Sequence, residues 1–233
     1  MTRSVVYNQL LKTEKYAKDN HMQINYRKTK LMLFNPCRSI DFMPKIDLGG
    51  QQLEVVEKMR LLGVTIRSDL KWSSNTADIV QRAANKLWLL RRLKNFGANT
   101  EELIDLYSKY CRSILEFAAP VWHSAITAYE SACIERVQKM ALHIMLGEKY
   151  RNYETAMRKL GLETLESRRA KLCFNLAKKA EKNTKFKQWF KEKPKVSTRQ
   201  PSEKYWGPVT RTTRLQQSAI PYLTSLLNKH YLK

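Results

Sequence analysis

No apolar stretch among the 233 residues approaches the roughly 18 that a membrane-spanning helix requires. The longest candidate, Phe117 to Tyr129, is short and holds Pro120 and His123. The first dozen residues contain Arg3, Asn8, Gln9 and Lys12 in place of the apolar run of a signal peptide. Only four cysteines are present, Cys37, Cys111, Cys133 and Cys173, with no C-x-x-C pair, and His21, His123, His143 and His230 are equally scattered. That spacing argues against a zinc site and against a disulfide framework. Acidic residues are scarce as well, 21 against 43 basic ones, for a net charge of +22. Taken together these absences predict an intracellular chain, in nucleus or cytoplasm, with no membrane partner and with a polyanion such as nucleic acid as its first candidate ligand.

Catalytic signatures are also missing. The sequence has no G-x-x-x-x-G-K-[ST], no G-x-G-x-x-G, no H-E-x-x-H and no G-x-S-x-G. Its six aspartates (Asp19, Asp41, Asp47, Asp69, Asp78, Asp105) are dispersed. Two-metal phosphoryl transfer needs carboxylates clustered around cations about 4 Å apart, and no such cluster is legible. An autonomous active site is not expected.

The charge that is present sits unevenly. Residues 99–167 carry eight basic and ten acidic groups, a balance of −2, whereas residues 168–233 carry seventeen and three, a balance of +14. So high a density in the last quarter exceeds what solubility needs and favours a polyanion contact there over a merely solvated face.

The apolar content of 43% suits a folded chain of one or two domains. Val6, Leu10 and Leu11 predict an amphipathic helix over 4–18. Alternation predicts strands at 22–26 and 28–34, closed by Asn35-Pro36. Residues 45–48 and 52–56 flank Gly49-Gly50 as a hairpin, and 59–66 read as one strand with a bulge at Gly63. From Ser73 the period changes from two to about 3.6. Ser73 or Ser74 is the expected cap of a helix with Ile79, Val80, Ala83, Ala84, Leu87 and Leu90 inward, ending near Phe96-Gly97. Asn99 with Glu102 reads as a capping box, opening a helix with Leu103, Tyr107, Tyr110, Ile114 and Phe117 on one side until Pro120. Further helices carry Ile134, Val137, Ala141 and Ile144 up to Gly147, and Leu172 and Leu176 within 165–182. Trp88 and Trp122 read as core. Residues 194–214, rich in proline and polar groups, read as a flexible connector, and 218–228 as a segment that docks back. The expected class is α+β: a small antiparallel sheet or hairpin region over 1–72, a helical bundle over 73–193 and a basic, partly flexible tail over 194–233.

Several stretches occur in an order that resembles the polymerase of non-LTR (LINE-type) retrotransposons, downstream of its catalytic motif. They are NYRKTKLMLF (25–34), IDLGG (46–50), RLLGVTI (60–66), LKW (70–72), LYSKYCRSILEFAAPVW (106–122), IERVQKMAL (134–142), LESRR (165–169) and SAIPYLTSLLN (218–228). The resemblance covers nearly the whole chain. It implies that residues 5–34 belong to the end of a palm, 45–66 to a primer-grip hairpin, and the helices from Ser73 onward to a thumb and C-terminal extension. It also implies RNA or an RNA–DNA hybrid as partner, and the remaining polymerase half as a possible second. The metal-binding aspartates of that family would lie before Met1, and Asp78, inside a predicted helix, does not replace them. The chain by itself is therefore expected to bind no cofactor and not to polymerise; Mg²⁺ is expected only for an intact polymerase.

Candidate contact residues follow from the resemblance and from the charge pattern. Lys28 and Lys30 would lie near the incoming nucleotide's phosphates, or else form the polar face of a strand. Leu62, Gly63 and Val64 occupy the primer-grip position, or an ordinary bulged strand. Arg91, Arg92 and Lys94 either meet phosphates along a thumb groove or complement a helix C-terminus. Arg168 and Arg169, with Lys171, Lys178 and Lys179, form a basic stripe on one helix, and Lys187 and Trp189 belong to a stretch that mixes aromatic rings with charge and suits unpaired bases. The rival reading is a non-catalytic interaction module or the relic of a decayed element.

Overall fold

The computed structural model describes residues 2–34, 46–48, 50–194 and 203–232. The chain divides into two units, Met1–Lys71 and Trp72–Lys233. The division falls where the hydrophobic period changes.

The first unit opens with helix α1 (Thr2–Asp19). Leu10 of this helix, with Tyr26 and Leu31, packs against the buried trio Ile46, Leu48 and Leu53. The two strands expected over 22–34 reduce to β1 (Lys30–Leu31), which pairs in parallel with β4 (Glu54–Val55). Asn25 is the physical reason: its side-chain oxygen accepts from the Lys28 amide at 3.1 Å and curls Tyr26–Lys28 into a 3-10 turn. The expected closure at Asn35-Pro36 lies outside the described residues. The Gly-Gly hairpin forms as β2 (Asp47–Leu48) against β3 (Gln51–Gln52), antiparallel, with the Leu53 amide donating to Ile46 at 2.9 Å.

Residues 58–67 differ from the single bulged strand expected. They make a second hairpin, β5 (Lys58–Leu61) and β6 (Val64–Arg67), with Leu61 opposite Val64. Leu62 at φ +48° and Gly63 at φ +88° form its two-residue turn. Positive φ at both central positions matches the natural twist of paired strands, which is why Gly63 marks a reversal and not a bulge.

The second unit begins with α2 (Ser73–Asn95), whose Ile79, Ala83, Leu87 and Leu90 are buried as the periodicity required. Its cap position falls on Trp72, one residue before the serines expected there. The Asn99–Glu102 capping box is present, each bond 2.9 Å, at the start of α3 (Thr100–Leu106). The single regular helix expected beyond it is interrupted by a π-helical turn over Tyr107–Arg112 before α4 (Ser113–Glu116). That wider turn keeps residues four apart on one face, so Leu103, Tyr107, Cys111 and Leu115 are buried, while Tyr110 and Phe117 face solvent.

Ala118, at φ +50°, ends this run, and α5 (Ala119–Trp122) carries Pro120 in its first turn. The Trp122 ring is buried, with Nε1 donating to the Phe117 carbonyl at 3.0 Å. Helix α6 (Ala128–Leu146) buries Ile134, Val137 and Ala141 and stops at Gly147. Sequence periodicity did not reveal α7 (Tyr153–Leu160), two turns long; α8 (Leu165–Lys182) was expected. Its inner face is Leu165, Arg169, Cys173, Ala177 and Ala180; Leu172 packs against the main core half-buried, as expected, whereas Leu176 is exposed. After α9 (Thr213–Gln216), α10 (Ala219–Tyr231) docks on α8 through Leu223 and Leu227, as expected of 218–228. Part of the expected flexible connector is held in place as well: Tyr205 is buried and bridges to Glu192 in antiparallel fashion.

A buried amide ties these helices together. The Gln138 side-chain oxygen accepts from the Tyr107 hydroxyl at 2.7 Å, and its nitrogen donates to the Tyr153 hydroxyl at 2.8 Å and the Glu163 carbonyl at 2.9 Å. Burial raises the Tyr107 hydroxyl well above its ordinary pKa, so this group stays a donor. Removing the amide leaves a hydroxyl and a carbonyl without partners, at about 1–3 kcal/mol each. Gln138→Leu is expected to lower the stability of the full chain by about 2–4 kcal/mol in urea denaturation; a loss below about 0.5 kcal/mol would contradict the bridging role.

Candidate nucleic-acid interface

The contact residues expected from sequence lie on several separate elements, and the structure treats them differently. Lys28 is exposed on the 3-10 turn. Lys30 is paired with Glu54 across the β1–β4 ladder, so its ammonium already has a carboxylate. At the tip of the β5–β6 hairpin, Leu62 is 89% exposed, Gly63 is half-buried and Val64 is buried.

On α2, Arg91 and Arg92 are exposed, as expected. Lys94 is not available to a phosphate. Its Nζ donates to the Ile144 carbonyl at 2.5 Å, at the C-terminal end of α6, where a cation satisfies orphan carbonyls and the helix dipole. Trp88 was expected in the core and is instead 52% exposed. It stands four residues before Arg92, and Phe96, 77% exposed, stands four residues after it. The Arg92 guanidinium lies 6.0 Å from both ring centroids. The 88–92–96 spacing was visible in the sequence; the usual burial of tryptophan hid its meaning. A guanidinium held between two exposed rings offers a phosphate donor and two stacking faces at once.

The expected basic stripe on α8 is largely consumed by structure. Arg168 forms a two-pronged ion pair with Glu116, the second prong at 3.0 Å, and this pairing raises its pKa. Lys171 holds Glu163 at 2.5 and 2.6 Å. Arg169 is fully buried, a correction to its expected role as a phosphate contact. Its Nη2 donates to Ser131 at 2.8 Å, its Nε faces His123 Nδ1 at 3.4 Å, and its guanidinium lies 5.8 Å from the Trp122 ring. The helical period explains this: Leu165, Arg169, Cys173 and Ala177 recur every four residues and share the inner face. Lys178 is half-buried with its ammonium 5.2 Å from the Phe174 ring, and the exposed cations left without a described carboxylate are at the end of the helix, Lys179 and Lys182.

Beyond α8, Lys187 is exposed, and Trp189 is half-buried, tilted against Phe186 with centroids 4.7 Å apart. Trp189 packs against the small C-terminal core and is only partly exposed. Among the described residues, Lys185, Lys187 and Lys191 have no acidic partner, whereas Lys193 pairs with Glu203 and Lys204 with Glu181, both at 2.8 Å. Glu181 also accepts from Tyr205 and from Tyr231, the latter at 2.7 Å, which fastens residues 204–205 to α8 and α10. Among the described residues no group of three or more His, Cys, Asp or Glu is placed to hold a metal ion, and no helix is long and apolar enough to cross a membrane.

Set against known proteins, the chain matches no family model, no curated protein and no solved structure.

The buried arginine has an electrostatic consequence. Burial, aided by the Arg169 charge, lowers the His123 pKa from 6.5 to about 4, and a neutral ring is what Nδ1 needs to accept from Arg169. Below pH 6.5 an unfolded imidazole binds a proton that the folded one refuses until about pH 4. Stability from this group is therefore complete above pH 6.5 and lost as pH falls through that window. Thermal melts of the full chain should fall from pH 6.5 to about 4, and His123→Gln should flatten that fall; identical slopes in both proteins would contradict the assignment.

Proposed function

We propose that this chain binds nucleic acid, RNA or an RNA–DNA hybrid, mainly through phosphate contacts and with little sequence preference. The observation that carries the reading is the C-terminal balance of +14 together with cations that no described carboxylate neutralises, Lys185, Lys187 and Lys191. The Trp88–Arg92–Phe96 ladder supplies a second surface of the same chemistry.

In this reading the chain is the C-terminal part of a non-LTR retrotransposon reverse transcriptase. The β5–β6 hairpin acts as the primer grip: the exposed Leu62-Gly63 turn lets backbone approach a sugar-phosphate chain. The helices of the second unit act as thumb and extension. Their task is to hold primer and template while aspartates supplied elsewhere carry Mg²⁺ and the chemistry. By itself the chain holds nucleic acid and does not copy it.

A second reading, a protein-interaction module, is favoured by the apolar surface of the first unit. Leu11, Met22, Phe34 and Leu61 are exposed around a core of three buried residues.

A salt titration tests the first reading. If four to six phosphates are neutralised, log K against log salt should fall with a slope of about −3 to −4 on single strands. Arg92→Glu should weaken binding and make the slope shallower by about one or two. An affinity insensitive to salt would overturn the reading.

A further inference from the structure

Residues 190–193 and 204–206 run antiparallel as a minimal two-stranded ladder. The Lys193 amide donates to the Lys204 carbonyl at 2.9 Å, and the Trp206 amide to the Lys191 carbonyl at 2.8 Å. Alternation across this ladder sends successive side chains to opposite sides. Tyr205 turns inward, 5.8 Å from the Phe190 ring, and both are buried. Trp206 must then turn outward, and 52% of it is exposed. The Lys193 ammonium lies 5.2 Å from its ring centroid, which fixes the indole without covering it. Trp189, Lys191, Trp206, Gly207, Pro208 and Val209 together line a cleft of about 510 Å³. Two of its six lining residues are tryptophans, and Val209 is 89% exposed.

Exposed apolar surface of this kind is out of place beside so much charge unless something occupies it. Ring-lined and with the unpaired ammonium of Lys191 in its lining, the cleft calls for an occupant that is both flat and anionic. A proline-rich peptide fits rings but leaves Lys185, Lys187 and Lys191 uncompensated. A paired duplex offers phosphates but hides the faces of its bases. An unpaired nucleotide offers a free π-face and a phosphate on the same unit.

We infer that the Trp189–Trp206 cleft is a stacking subsite for one unpaired base of a single-stranded nucleic acid, with Lys191, aided by Lys187, on the adjoining phosphate. The inference rests on the nucleic-acid reading and deepens it: it assigns a preference for single strands to a particular cleft. Trp206, 52% exposed, is the principal stacking surface, because Trp189 is partly buried against the small C-terminal core.

The test is a fluorescence titration of the full chain with oligouridine and oligothymidine of about 12 nucleotides, and with a duplex of equal length. Single strands should quench indole emission saturably, and Trp206→Phe, which still stacks, should lose most of the quenching while keeping the affinity. Trp206→Ala should weaken single-strand binding about tenfold, the loss of one base–aromatic stack, while leaving duplex affinity within about twofold and the melting temperature unchanged. Comparing oligouridine with oligothymidine distinguishes RNA from DNA as the source of the base. Equal weakening of single strands and duplex in Trp206→Ala, or no weakening of either, would overturn the subsite while leaving the nucleic-acid reading standing. Quenching of Trp206 by a polyproline peptide in place of the oligonucleotides would also overturn it. Failure of the unaltered chain to bind any oligonucleotide would overturn both.

Discussion

The second unit depends on a polar constraint inside its apolar core: Gln138 must have its hydrogen bonds met. Helix α6 buries this amide fully, and the π-turn bearing Tyr107, the Tyr153 hydroxyl of α7 and the Glu163 carbonyl converge on it. Glu135, one turn earlier, accepts from Tyr153 and from the Leu165 amide at 3.1 Å, which fixes where α8 begins. From that start the inner face of α8 follows, with Arg169 beneath Trp122 and with Cys173 and Ala177 against α10. The basic surface beyond α8 is carried by the same helix. Its position is set from a distance, by the amide on α6.

A chain with twice as many cations as carboxylates does not present all of them to a ligand. Lys94 finishes α6, Arg168 fastens α8 to Glu116, Arg169 fills space under an indole, and Lys204 with Glu181 holds the last strand segment. Each of these positions reads as a basic contact by composition and belongs to the fold by geometry. Among the exposed cations without a described carboxylate partner are two groups, Arg91 and Arg92 on α2 and the lysines from Lys179 to Lys191. In both, exposed aromatic rings accompany them. Pairing of charge with exposed rings, more than charge by itself, marks the candidate interface.

How much of this was legible in the sequence depends on whether local or distant partners decide each element. The capping box at Asn99, the stop at Gly147 and the Gly-Gly hairpin are local chemistry, and they were readable. The strands expected over 22–34 reduce to two residues because Asn25 competes for the backbone with its own side chain. Gly63 was readable as a special position but not as a reversal, since that depended on Leu62 accepting a positive φ. The π-turn shifts the buried face from Tyr110 and Phe117 to Cys111 and Leu115, and nothing in a helical period of about 3.6 residues announces it. Arg169 and Trp88 exchanged expected places, charge inward and indole outward, because each position is set by a face whose neighbours come from other helices. Trp206 was hidden in a segment whose prolines suggested only a connector. Leu62 and Lys187, in contrast, stand at the surface as the sequence suggested.

The central claim is that nucleic acid meets the second unit along two ring-bearing basic surfaces and avoids its neutral helical middle. Photo-crosslinking of a 4-thiouridine-substituted single-stranded RNA to the full chain, with the attached peptides identified, tests this most directly. The account predicts adducts within residues 88–96, 185–193 and 203–209, and none within α6 or α7. Adducts concentrated in α6 and α7, with those three stretches unmodified, would contradict it.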